Sequence, residues 1–202
     1  MQAPPIPAIS SSPQGPLVRL STPHVELVSS PFVQAAAVAD YYRRNCAHFS
    51  RWDPPSPPGF DSAAVQAERL MQSTLAFGMG TAYRYWLVEL QDASRVVGSI
   101  HFSNVSRGPF QSASLGYSVD QGLEGRGVMA AALAVALAEM FSPRGRLHRI
   151  EAAIRPENER SLALIQRLGF TRIGLAPQYL MIDGDWRDHV LWQRLNPGWA
   201  AD

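Results

Sequence analysis

The stretch LGYSVDQGLEGRGVMAAALAVALAEMF, residues 115–141, constrains the chain more than any other. An alternating apolar segment runs into Gly122, Gly125 and Gly127, and then into a helix-forming run with six alanines between 130 and 138. Met129, Leu133, Leu137 and Met140 fall on one helical stripe, and the alanines let that helix lie close on a sheet. A strand, a glycine turn and an apolar helix in that order place a helix N-terminus at the end of a sheet. Backbone N–H groups left over there, together with the helix dipole, attract phosphate.

The flanking pattern predicts the rest of the layer. LVRLSTPHVELVS reads as a first strand with a break, and PFVQAAAVADYYRRN as a helix opened by Pro31. SRWDPPSPPGF carries four prolines and reads as an extended loop. Asp61 or Ser62 then caps a second helix to about Phe77, stopped by GMG. AYRYWLVEL, RVVGSIHFSNV and SASLGYSVD are separated by connections short enough for an antiparallel meander. After the glycine turn and its helix come the strand LHRIEAAI, a helix in ENERSLALIQRLGF ending at Gly169, and a hairpin turning at Asp183-Gly184. The order β-α-α-β-β-β-α-β-α-β-β predicts an α/β fold with a mixed sheet. At 202 residues and 46% apolar content, one domain over residues 16–202 is expected, preceded by a mobile Pro/Ser-rich leader at 1–15.

Charge and composition narrow the function classes. The 18 basic residues are all arginine and nearly balance 17 acids, which removes any general electrostatic drive toward nucleic acid or a membrane surface. Cys46 stands alone, so neither an internal disulfide nor a cysteine metal cluster can form. His101, His148 and His189 do not occur at metal-ligand spacing, and no metal is expected. The N-terminus lacks the basic start and apolar core of a signal peptide, and no run of 18 apolar residues follows, so a cytoplasmic protein is expected.

Three phosphate-binding schemes compete for the glycine turn. A P-loop needs Lys-Ser/Thr after its second spaced glycine, but Gly127 is followed by Val128-Met129. A dinucleotide fingerprint can be forced as Gly125-x-Gly127-x-x-Ala130. Its preceding strand, however, alternates and closes a meander, and Arg155 stands where an acid should end the following strand. The third scheme is coenzyme A, with its pyrophosphate on the amides from Glu124 to Met129.

LEGRGVM, HRIEAAIRPENERSLALIQRLGF and YLMIDGDWRDHVL together resemble the GNAT superfamily of N-acetyltransferases, most closely its ribosomal-protein-alanine (Rim-type) branch, over about residues 16–195. The resemblance implies a mostly antiparallel mixed sheet flanked by helices, whose two central strands, here 115–120 and 147–154, splay apart to receive the pantetheine arm of acetyl-CoA. The family's loop motif maps onto Glu124, Gly127 and Met129, with Gly125, Arg126 and Val128 between them; Glu124 replaces the usual Gln or Arg. By the same resemblance Asn158 bonds the arm, Ser161 sits near the sulfur and the Val119 N–H meets the oxyanion.

Acetyl transfer needs a neutral amine and a proton for the departing thiolate. An α-amine with pKa about 7.7–8.0 is roughly one-tenth neutral at pH 7, whereas a lysine is neutral about once in 2,500 molecules. An N-terminal acceptor therefore asks less of a base. Glu151 and Asp188 are the candidate bases. The family's usual acid is a tyrosine four residues before the glycine of LGF, where this chain has Ile165, so Ser161, Tyr179 or water must serve. The resemblance implies transfer to the N-terminal amine of a protein, a ribosomal one being a candidate. A small-molecule amine acceptor and a non-catalytic acyl-CoA sensor are the alternatives, and oligomeric state is left open.

Overall fold

The structure is a computed structural model that describes residues 17–199, so the 1–15 leader, residue 16 and the last three residues lie outside the described residues. Its elements are β1 (Arg19–Ser21), β2 (Val25–Ser29), α1 (Ala35–Phe49), α2 (Ala63–Met79), β3 (Tyr83–Glu89), β4 (Val96–Ser106), β5 (Ser112–Val119), α3 (Val128–Phe141), β6 (Arg149–Ile154), α4 (Glu159–Arg167), β7 (Thr171–Ile182) and β8 (Asp185–Leu195). The strands form one sheet in the order β1-β2-β3-β4-β5-β6-β8-β7. Every adjacent pair is antiparallel except β5 and β6. The expected mixed, mostly antiparallel α/β sheet is what forms.

Two local expectations are corrected. The first strand is a hairpin of two, with Arg19 opposite Val28. Thr22 makes its turn by accepting the Val25 N–H at 3.0 Å and donating its hydroxyl to the Val25 carbonyl at 2.7 Å. Pro31 opens a short 3-10 turn, Ser30–Phe32, and α1 starts only at Ala35. Ser62 caps α2 by accepting the Val65 N–H at 3.3 Å, a contact worth about 1 kcal/mol, and Gly80 ends the helix at φ 69°. Asp183 and Gly184, both at positive φ, make the two-residue turn between β7 and β8.

The sheet is covered on both faces. α3 packs Val128, Met129, Leu133, Leu137 and Met140 against Leu27, Tyr85, Ile100, Leu115 and Ile150. Ile165 of α4 joins this same core. On the opposite face α1 and α2 bury Val38, Tyr41 and Leu70 against Val28, Trp86 and Val88. Strand alternation then assigns every site residue to a face: 113, 115, 117, 150, 152 and 154 toward α3 and α4, and 84, 86, 99, 101, 114, 116, 151 and 153 toward α1 and α2.

Candidate functional site

β5 and β6 pair only at Ser112–Arg149, Ala113–Ile150 and Ser114–Glu151. Beyond Ser114 and Glu151 each strand continues, to Val119 and Ile154, without the other. The expected splay is present, with narrower bounds: Asp120 has left β5, residues 147 and 148 precede β6, and 149–151 are still paired. The Asp120 N–H donates to the Val97 carbonyl at 2.8 Å, toward β4. Because successive strand amides alternate direction, the Val119 and Tyr117 N–H groups point away from β4 into the gap. The gap is thus lined by backbone donors and acceptors that a polar, amide-containing chain can satisfy.

The glycine turn stands at the open end of this gap. Asp120 accepts the Gly122 N–H at 3.1 Å, and the Gln121 N–H donates to Asn45 Oδ1 at 3.0 Å, so α1 fixes the start of the turn. Asp120 also pairs with Arg44. Gly125 and Gly127 adopt φ 72° and 77°, the left-handed region that favours glycine, and a Cβ added at either would meet nothing within 4 Å. Gly127 is the N-cap of α3 and offers no side-chain cap, so the first α3 amides have no intrahelical acceptor. Val128 and Met129 bury their side chains in the core and present only backbone at the turn. Arg126 is exposed and borders a hollow with His24 and Leu123. These residues fit a pyrophosphate by backbone alone.

Glu124 is the carboxylate that lies between Gly122 and Gly125, and it is already paired. One oxygen lies 3.1 Å from His48 Nε2, and the other bonds Arg160 of α4. Asn158 caps α4 by accepting the Ser161 N–H at 3.1 Å, which commits its Oδ1 and leaves the Nδ2 group for another acceptor. Ser161 lies in the first turn of α4. Its carbonyl accepts from the Tyr117 hydroxyl at 3.5 Å across the open part of the gap. Burial pushes the Tyr117 hydroxyl up to about 12, the Ser161 contact opposing it.

The two candidate bases sit in different surroundings. Glu151 closes the last β5–β6 pair, on the sheet face of α1 and α2; its Oε1 is 3.3 Å from Arg149 Nη1. Both side chains are partly exposed, so this pair is weak, and Oε2 has no protein partner among the described residues. Asp188 accepts the Gln178 N–H at 2.8 Å, where β7 slips register against β8 and Gln178 turns to φ 49°. Tyr179 is exposed, with its ring 5.4 Å from that of His189. Asp188 and Tyr179 therefore sit together on the β7 irregularity, while Glu151 closes the paired end of the splay, Val119 ends β5 five residues further on, and Ser161 lies on the α4 side.

Trp52 of the proline loop is flanked by the Arg51 and Arg155 guanidiniums at 5.3 and 5.6 Å, and Arg155 donates to the Arg51 carbonyl at 2.8 Å. That clasp ties the loop to the residue just beyond β6. Tyr117 and Arg160 escaped the sequence reading. Tyr117 is one more alternating apolar residue in SASLGYSVD, and Arg160 belongs to an ordinary charged first turn. Among the described residues no group of three or more His, Cys, Asp or Glu could hold a metal ion, and no helix is long and apolar enough to cross a membrane.

Comparison with known proteins agrees with this geometry. Residues 28–171 match the family described as Acetyltransferase (GNAT) domain. The chain is 36% identical over 185 residues to the [ribosomal protein uS5]-alanine N-acetyltransferase of Escherichia coli, covering 92% of this chain and 94% of that protein. Its fold is similar to the ribosomal-protein-S5-alanine acetyltransferase of Vibrio fischeri, with TM-score 0.85, 32% identity and coverage of 91% and 100%. It is also similar to Mycobacterium smegmatis RimJ in complex with CoA-disulfide, with TM-score 0.77, 30% identity and coverage of 85% and 81%.

Proposed function

Because this chain belongs to the GNAT acetyltransferase family, we propose that it moves the acetyl group of acetyl-CoA to the free α-amine of a protein N-terminus, a ribosomal protein being the leading acceptor. The observation that carries this reading is the break in pairing after Ser114 and Glu151, beside an α3 N-terminus whose amides are uncapped. The solved relative holding a CoA species supports the same donor.

In this reading the amides from Gly125 to Met129 hold the pyrophosphate, and the unpaired edges of β5 and β6, with Asn158 Nδ2, hold the pantetheine arm. The Val119 N–H meets the carbonyl oxygen as charge develops on it. Glu151, level with Ser114 and so five residues along β5 from Val119, collects through a chain of waters the proton the amine loses as the N–C bond forms. The departing thiolate takes a proton from the Tyr117 hydroxyl, with the Ser161 hydroxyl beside it, and water restores that proton. Tyr117 then takes the place of the tyrosine that Ile165 leaves out of α4. Asp188 keeps the β7 irregularity in shape, and Tyr179 and the Trp52 loop wall the acceptor side.

Thiol release from acetyl-CoA with a library of peptides tests the reading. Peptides with a free α-amine should outcompete N-blocked lysine peptides by at least tenfold in kcat/KM. Equal rates would return the small-amine acceptor to first place, and acetyl-CoA binding without any turnover would make the chain a sensor.

A further inference from the structure

On the face of Glu151, a cleft opens between α2 and strands β3 and β4, lined by Arg69, Gln72, Ser73, Arg84, Trp86 and His101 among others. Three basic side chains meet there, and no carboxylate lines the cleft. The Arg69 guanidinium lies 4.7 Å from the Phe60 ring centroid and that of Arg84 lies 5.4 Å from Trp86; neither has a carboxylate partner among the described residues. The acid of α2, Glu68, accepts from Gln72 Nε2 at 3.0 Å and forms no ion pair with either arginine among the described residues. Elsewhere in this chain guanidiniums commonly meet carboxylates, as at Arg44–Asp120 and Arg144–Glu139. Burial, Arg84 and Arg69 together push the His101 imidazole down to about 3, which leaves it neutral and able to accept or donate a hydrogen bond. Like charges held together over aromatic faces raise the free energy of the empty protein and lower that of a bound anion.

The floor between this cleft and the splay is open. His101 pairs with Gly116 of β5, an exposed glycine at which a Cβ would meet nothing within 4 Å. From β6 to β3 is three strand spacings, about 14 Å, and an extended chain advances about 3.3 Å per residue. We propose that this cleft is an acceptor subsite for a carboxylate, and that it selects N-termini carrying Asp or Glu roughly two to four residues after the acetylated amine. The inference rests on the protein-acceptor reading above and adds to it a sequence preference.

The test is kcat/KM by thiol release for alanine-initiated hexapeptides that carry Glu or Gln at positions three and four. The wild-type protein should prefer the Glu peptide by roughly tenfold or more, as for a charge-assisted hydrogen bond. Arg84→Met should bring the two peptides within about twofold while leaving the Gln peptide and the acetyl-CoA Kd unchanged. Arg69→Gln, on the exposed side of α2, should narrow the preference in the same way and carries the test if Arg84→Met fails to fold. Equal wild-type rates on both peptides overturn the subsite and leave the acetyltransfer reading intact. Thiol release from neither peptide, with small amines still turned over, overturns the protein-acceptor reading and the subsite with it.

Discussion

Glu124 in the glycine turn and Arg160 in the first turn of α4 form an ion pair that joins the two segments flanking the open end of the β5–β6 gap. The pair answers an electrostatic question raised by the sequence, since a carboxylate beside a pyrophosphate would otherwise repel it. Arg160 is largely exposed, so the pair itself adds little stability, and in the proposed reading its effect would fall on the ligand.

Removing Arg160 should therefore release the Glu124 charge. Arg160→Ala is expected to weaken acetyl-CoA binding by about three- to tenfold at low salt, and less at high salt, as for unit charges several ångströms apart in a watery medium. Glu124→Gln in the same chain should restore affinity. Calorimetry of the four proteins of this cycle measures it; a loss that survives in the double variant would show that Arg160 meets the phosphates directly.

Glu151 should matter most where the amine is least ready. Glu151→Gln is expected to lower kcat by roughly 10²-fold or less, since general-base contributions run about 10² to 10⁴ and an α-amine is already partly neutral. Acetyl-CoA affinity should hold, and the deficit should shrink as pH rises from about 6.5 to 9, through the amine's own titration. A deficit constant across that range would mean that Glu151 serves structure, and would move the role to Asp188.

The Tyr117 hydroxyl, not its ring, should carry the proton to the thiolate. Tyr117→Phe is expected to cut kcat by about tenfold or more with acetyl-CoA Kd and Tm nearly unchanged. Single-turnover rates at pH 7 and 8.5 report the chemical step, and wild-type rates in the phenylalanine variant would return the acid to Ser161 or water.

His101 makes a prediction about acid stability. Its folded value, about 3, lies below its ordinary 6.5, so between those values the unfolded chain binds more protons than the folded one. Stability from the neutral imidazole is complete above about pH 6.5 and is lost as pH falls through that window toward 3. Tm should decline from pH 6.5 to 5, before most carboxylates titrate, and His101→Gln should decline less over the same interval. Parallel curves for the two proteins would contradict the assignment.

How far the sequence led depends on the range of the cause. The glycine turn, the α3 stripe, the Ser62 cap and the Asp183-Gly184 turn rest on residues within a few positions of one another, and all were legible. The β1–β2 hairpin was missed because Thr22 makes its turn with a hydroxyl, without the glycine or asparagine that usually marks one. The register slip in β7 was missed because the carboxylate that accepts the Gln178 N–H, Asp188, belongs to the next strand. Tyr117, Arg160 and the cluster of Arg69, Arg84 and His101 carry no local motif. They become neighbours only when the sheet brings distant segments together.

Three rungs of backbone pairing join the five strands β1–β5 to the three strands β6, β8 and β7. A sheet interrupted in this way is two panels stitched at one end, and whatever bridges the open end finishes the stitching. In the proposed reading a donor molecule lying there would act as a temporary extra strand, so that loading the enzyme would also close its seam. On that reading catalysis and local stiffness at the seam rise and fall together in each cycle, and departure of the spent thiol leaves three rungs of backbone pairing, the shared α3 core and the Tyr117–Ser161 and Glu124–Arg160 contacts across the seam.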